Sequence, residues 1–283
     1  MFLWGLMSDI KLFFLTLLKI TAFFSVLFSL AACDRNQAVK ITVTPVYQQQ
    51  VLACNKPFSH MDKSWRYQQL QFFISDLEVI SQGDDSASGE VNNLWQTWPM
   101  LESEFQSGMV ALLGQVCSPD DRDATSGNWQ LALAPSFELS SISRIRFTLG
   151  VPFSLNHQNP LTQKSPLNEP SMFWVWRTGH KFLRLEMVSK DDTWLFHLGS
   201  TGCSAVSPVR PPAEECRQPN RFQFEFAFDS KTPELRLDLS RLLTQVTLTR
   251  EKSCQSAPEN PHCRQILANL SEPESRLFRG SDD

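Results

Sequence analysis

The stretch Arg221-Phe222-Gln223-Phe224-Glu225-Phe226-Ala227-Phe228 puts four phenylalanines on one side of an extended chain and polar or small residues on the other. Side chains of a strand alternate between its two faces, so this period of two reads as a strand with one buried face. The pattern recurs on both sides. Downstream, Leu235, Leu237 and Leu239 repeat it, and Val246 and Leu248 repeat it more weakly. Upstream, Arg144 to Leu149 alternates cleanly until Gly150-Val151-Pro152 ends the run. Lys181 to Val188 and Thr193 to Leu198 flank the polar turn Ser189-Lys190-Asp191-Asp192, a hairpin pattern. In the second of these strands Trp194, Phe196 and Leu198 share one face, and Leu195 and His197 the other.

Nearer the N-terminus, Val39, Ile41 and Val43 alternate with Lys40, Thr42 and Thr44. Leu70, Phe72 and Ile74 lead into Leu77 and Val79, and the change of phase predicts a bulge around Asp76. Trp129 to Ala134 reads as a strand, Leu94 to Pro99 is short and aromatic, and Met109 to Val116 reads as a brief helix or a strand. The segments from Cys54 through Trp65, Ser81 to Gly89, Pro119 to Asn128 and Asn156 to Pro170 read as loops. Short strands at regular spacing predict an all-β chain: an antiparallel β-sandwich with long disulfide-pinned loops and few short helices.

The first residues are basic at Lys11 and Lys19, apolar from Ile20 to Leu30, and then small, which is the pattern of an export signal. Leu30-Ala31-Ala32-Cys33 resembles a bacterial lipobox, whose cysteine becomes the acylated N-terminus of the mature chain; the competing reading is an ordinary cleaved signal peptide. The expected organisation is a lipoprotein signal peptide over 1–32, a tether over 33–38, a single domain over 39–270 and a flexible charged tail over 271–283. Asp34 resembles an inner-membrane retention mark, a rule that differs between bacteria, so the choice of membrane stays open.

A net charge of −4 with 20% charged residues and no basic cluster excludes the footprint of a nucleic-acid binder. Six cysteines follow Cys33, and an even number in an exported chain reads as three disulfides. Closeness along the chain favours Cys203–Cys216 and Cys254–Cys263, leaving Cys54–Cys117, out of the fifteen connectivities that six cysteines allow. Thiolate ligation of a soft metal is the rival reading, though no C-x-x-C spacing is present.

Gly199-Ser200-Thr201-Gly202 lacks the G-x-S-x-G of a nucleophile elbow, so nothing supports serine hydrolase chemistry. Metal ligation has more support. Of the five histidines, His157 sits in the uncharged loop Asn156-His157-Gln158-Asn159, and His197 lies inside a strand just before a cysteine loop. His60 precedes Trp65 in a loop that a bridge at Cys54 would anchor, whereas His262 beside Cys263 has no such context. Imidazoles without carboxylate or thiolate partners suit copper better than calcium or magnesium. Zinc stays open on ligand type, but no H-E-x-x-H pattern marks a zinc hydrolase.

Several strings in order resemble the MbnP-like proteins, also described as four-Cys members of metallo-mystery pair systems. They are Leu149-Gly-Val-Pro-Phe-Ser-Leu-Asn-His157, Pro166-Leu-Asn, Met172-Phe-Trp-Val-Trp, Gly179-His-Lys-Phe-Leu-Arg-Leu185 and Phe196-His-Leu-Gly-Ser-Thr-Gly-Cys203, with Phe72-Phe-Ile-Ser-Asp-Leu77 as an earlier strand motif. The resemblance implies a periplasmic copper-binding β-sandwich, not itself an enzyme, that is paired with a di-haem partner of the MbnH and MauG type. It also implies that the partner oxidises a tryptophan to kynurenine. An intact indole offers a metal only an N–H donor, whereas the ring-opened product carries an aryl amine and a ketone. Carried onto this chain, the resemblance implies His60 and His157 as copper ligands, Trp65 as the modified residue and His197 as a third ligand or a supporting residue. Trp174, Trp176 and Trp194 are the alternatives for oxidation. The chain departs from the pattern at His180, where an aromatic hydroxyl is expected after Gly179; a neutral surface exchange and an altered partner-facing surface are the two readings. The competing functional class is a structural or interaction lipoprotein whose histidines hold no metal.

Overall fold

The structure is a computed structural model that describes residues 37–81, 94–118, 124–174, 177, 179–207, 209–271 and 277–280. Its longest strand, β4 (Lys63–Ser81), is the axis of the larger of two sheets. That sheet runs β12 (Thr193–Leu198), β11 (Leu183–Val188), β4, β10 (Ile142–Leu149) and β13 (Phe222–Ala227). β3 (Phe58–His60), β5 (Gln96–Thr97) and β7 (Val110–Cys117) also pair with β4, while β6 (Gln106–Ser107) and β8 (Ala124–Asn128) pair with β7. The smaller sheet runs β15 (Phe278–Gly280), β14 (Glu234–Asp238), β1 (Val39–Tyr47) and β2 (Gln50–Val51), with β9 (Gln130–Leu133) also on β1. Among the described strands the pairings are antiparallel except that of β1 with β14, where Val43 lies opposite Leu235. The expected all-β sandwich is what the chain forms.

Alternation explains the core. Phe224 and Phe226 of β13 turn inward beside Phe147 of β10, and Phe278 from the other sheet closes over them. The Phe278 ring lies 4.9 Å from Phe147, 5.0 Å from Phe224 and 5.5 Å from Phe72, so this one side chain joins the two layers. Each such ring, fully buried, contributes about 1.5–3 kcal/mol of transfer free energy.

Two bulges decide which residues of β4 face the core. Asp76 has φ +53°, and the register against β10 shifts between Arg146 opposite Glu78 and Thr148 opposite Ser75, as the phase change predicts. A second shift against β11, between Gln69 opposite Glu186 and Tyr67 opposite Met187, leaves Gln68 as the extra residue. Trp65 and Tyr67 therefore point inward with Leu70 and Phe72, while Gln69 and Gln71 join Glu186 and Arg184 on the other face.

Three expectations need correction. The segment carrying His60 and Trp65 is a hairpin and not a loop: Met61 and Asp62 have φ of 47° and 63°, the two left-handed residues of a type I′ turn joining β3 to β4. Asn-Gly or Asp-Gly usually marks that turn, so Met-Asp hid it. Within the expected loop Pro119 to Asn128, Ala124–Asn128 forms β8. The chain also stays folded beyond 270: helix Pro261–Ser271 is followed by β15, whose Phe278 is buried, so 277–280 are not a flexible tail. The ambiguous segment Met109 to Val116 is strand β7. All three disulfides, Cys54–Cys117, Cys203–Cys216 and Cys254–Cys263, pair as their spacing along the chain suggests. The signal, Cys33 and Trp176 lie outside the described residues.

Candidate functional site

Three histidine neighbourhoods stand at different places on β4. At its start, the β3–β4 hairpin sets Phe58 opposite Trp65 and His60 opposite Lys63, so His60 and Trp65 are diagonal neighbours on one inward face. Trp65 is 1% exposed and His60 6%. The tautomer of His60 follows from its partners. Val246 O, 2.8 Å from Nε2, can only accept, so Nε2 carries the proton. Nδ1 then presents a lone pair, which accepts from the Tyr47 hydroxyl at 2.8 Å. A histidine oriented by a carbonyl through one nitrogen, with the other nitrogen bearing a lone pair, is arranged as metal-ligating histidines are. A surface cavity of about 390 Å³, lined by Tyr47, Gln48, Gln49, Gln50 and Ser59, opens beside it. Burial, and secondarily Asp238, raises the Tyr47 pKa, so its hydroxyl stays protonated and displaceable at neutral pH.

The second neighbourhood is the outward polar face of β11 and β12. His197 pairs with Arg184, and its Nε2 lies 2.8 Å from Glu186 Oε1. Arg184 Nε donates to the same oxygen at 2.7 Å. The hydrogen bond from His197 holds the Glu186 carboxyl down at about 2, with Arg184 assisting against the opposing effect of burial. Burial lowers the His197 pKa in spite of Glu186, so the ring is neutral at pH 7, donates from Nε2 and carries its lone pair on Nδ1. The Trp174 ring, only partly buried, lies 6.4 Å from it. Lys181, drawn down to about 8 by burial and then by Arg184, donates to Ser171 O at 2.8 Å and Phe173 O at 3.3 Å, which pins the segment carrying Trp174.

The third neighbourhood follows β10. His157 is buried, and Asn156 Nδ2 donates to its Nε2 at 3.2 Å. His180 is 0% exposed, so it is not a surface exchange: Nε2 lies 2.8 Å from Leu167 O, and its backbone N–H donates to Asn156 Oδ1 at 2.8 Å. Burial lowers its pKa. Gly179, at φ +73°, makes this possible, since a Cβ there would run into Asn156. His180 therefore ties the loop after β10 to the approach to β11. A ring nitrogen of His157 and the sulfurs of Cys203 and Cys216 lie within 4.8 Å of one another, but both sulfurs are spent in a disulfide and are no thiolate donors as they stand.

The structure does not bring the expected ligands together on one ion. His60 is opposite Lys63, whereas His180, which shares Asn156 with His157, packs 5.6 Å from Phe73. Ten residues of extended strand separate Lys63 from Phe73, on the order of 30 Å. His197 occupies a third place, two strands from Gln71. Trp194 is buried in the core with Nε1 donating to Lys252 O at 3.1 Å. Sequence reasoning missed Tyr47, Glu186 and Arg184. The last two carried a signal, since Arg184 and Glu186 break the apolar pattern of β11 at a spacing of two.

No curated protein matches the chain. Among solved structures it is similar to MbnP from Methylosinus trichosporium, with a TM-score of 0.67 and 21% identity over 86% of this chain and 97% of that one, a likeness of fold. The family model described as MbnP matches residues 36–256, from the first strand through Cys254 and so across all three histidine neighbourhoods, and the chain belongs to the MbnP family.

Proposed function

We propose that the protein is a copper-binding lipoprotein of the periplasm, held at a membrane through acylated Cys33. In this reading it is not an enzyme but the substrate of a di-haem partner of the MbnH and MauG type, which oxidises Trp65 to kynurenine beside His60. The observation that carries the reading is the fixed tautomer of His60: its ring is held by Val246 O, and the lone pair of Nδ1 faces a hydroxyl that a metal can displace. Trp65 on the same hairpin face would supply the aryl amine after ring opening. His157 is too far along β4 to share that ion.

A second reading places the modification at Trp174, beside His197. It is favoured by the carboxylate that orients His197 and by the partial exposure of the indole.

The test is to co-express the chain with its di-haem partner, map tryptophan modification by peptide mass spectrometry and measure copper content. A kynurenine at position 65, copper lost in His60→Ala and copper kept in Tyr47→Phe are expected. A modified Trp174 with copper lost in His197→Ala would move the site to the second place. An intact set of tryptophans with equal copper in all variants would sink both readings.

A further inference from the structure

The loop from Cys203 to Cys216 folds back on His157, and Cys216 Sγ lies 3.7 Å from His157 Nε2. Asn156 Nδ2 donates to the same nitrogen at 3.2 Å, so Nε2 carries a lone pair and no proton, and a metal there would take the place of that hydrogen bond. With thiolate and imidazole bonds of about 2.3 and 2.0 Å, a trigonal metal centre sets its nitrogen about 3.7 Å from each sulfur. His157 is thus already at ligand distance from Cys216, and what a centre lacks is the separation of the two sulfurs. Cys203 is the only one of the six paired cysteines that is not buried, and most residues between it and Cys216 are exposed, so that end of the bridge can be approached and the loop can yield. The Arg217 side chain lies against Gly202, the residue before Cys203.

We propose that His157, Cys203 and Cys216 form a second, redox-gated site that takes Cu(I) once a dithiol reductant has opened the bridge. A thiolate of the reductant attacks Cys203 Sγ, and Cys216 leaves as thiolate. The second reductant thiol then displaces Cys203, so the dithiol becomes a disulfide and its two electrons reside on the two cysteines. Binding of Cu(I) releases the remaining thiol protons and leaves the copper oxidation state unchanged. Two thiolates and one imidazole suit Cu(I), whereas structural zinc asks for four ligands. This site does not depend on the hairpin reading and would stand if Trp65 were never modified.

The test uses the mature chain carrying His60→Ala and His197→Ala, which removes the other two histidine neighbourhoods from the titration. Cu(I) is titrated against a bathocuproine competitor before and after limited dithiol reduction, and cysteines freed by reduction are alkylated and mapped by mass spectrometry. The expected result is one additional copper equivalent in the reduced protein, with alkylation at Cys203 and Cys216 that copper prevents. His157→Ala should weaken binding at least tenfold, and Cys203→Ser/Cys216→Ser should abolish it. X-ray absorption should show two sulfur neighbours and one nitrogen neighbour. Should a substituted chain fail to fold, alkylation and absorption on the protein with both cysteines decide the matter. The proposal is overturned by no gain of copper on reduction, by prior opening of Cys254–Cys263 or Cys54–Cys117, or by equal binding in His157→Ala.

Discussion

Glu186→Gln isolates the electrostatics of the polar face, because the new amide oxygen can still accept from His197 Nε2 while the negative charge is gone. The carboxyl is lowered from 4.5 to about 2, first by the His197 hydrogen bond and then by Arg184 against burial. A tenfold change in an acidity constant is worth about 1.4 kcal/mol, so the full shift is equivalent to at most about 3.5 kcal/mol. Water reaches this side chain, which is 24% exposed, and screens its partners, so about 1–2 kcal/mol is expected at pH 7. The sign follows from the direction of the shift. A carboxyl with a depressed folded pKa adds stability above its unfolded value, near 4.5, and loses it as pH falls toward 2. Urea denaturation of wild type and Glu186→Gln at pH 7, 5, 4 and 3 should show a gap that is constant down to about pH 5 and shrinks below it. A gap that does not change with pH, or a variant as stable as wild type at pH 7, would refute the assignment of Glu186 as the charge that holds Arg184 and His197.

Phe278→Ala should cost about 3–5 kcal/mol by denaturant titration, because its ring touches Phe72, Phe147 and Phe224 of the opposite sheet; a loss under about 1 kcal/mol would mean that β15 is dispensable. Gly114→Ala should prevent β7 from pairing with β4 and cost about 3 kcal/mol or more, since φ is +104° and a Cβ would meet Gln71 Cα at 2.7 Å; undiminished thermal stability would contradict that pairing. Removing Cys54–Cys117, with a sequence separation of 63, should cost about 4 kcal/mol, against about 3 for Cys254–Cys263 with a separation of 9; calorimetry of the two double serine variants showing the reverse order would contradict the loop-entropy account.

The strands at Phe222–Ala227, Ile142–Leu149 and Thr193–Leu198 were legible because one-sided burial writes period two into the chain, and that signal needs no knowledge of the partner strand. The hairpin at Met61-Asp62 was not legible, because its left-handed residues are held by the strands they join and not by their own preference. The order of the tail is hidden from the sequence for a related reason. Phe278 sits among charged neighbours, and its burial depends on Phe72 and Phe147, which lie more than a hundred residues away.

The site divides along the same line. Residue types, the cysteine pairs and the prominence of His60, His157 and His197 are properties of the sequence, as is the family, whose strings are local. Which histidines share a place is a property of register. His60 and His157 belong to opposite stretches of β4, and only the pairing of Phe58 with Trp65 and the packing of His180 on Phe73 reveal it. The protonation of each ring is likewise tertiary, because Val246 O, Glu186 Oε1 and Asn156 Nδ2 choose the nitrogen that keeps a lone pair, and all but the last come from distant parts of the chain or a neighbouring strand. Alternation is inscribed residue by residue, whereas a coordination site is a meeting of side chains that only the closed fold arranges.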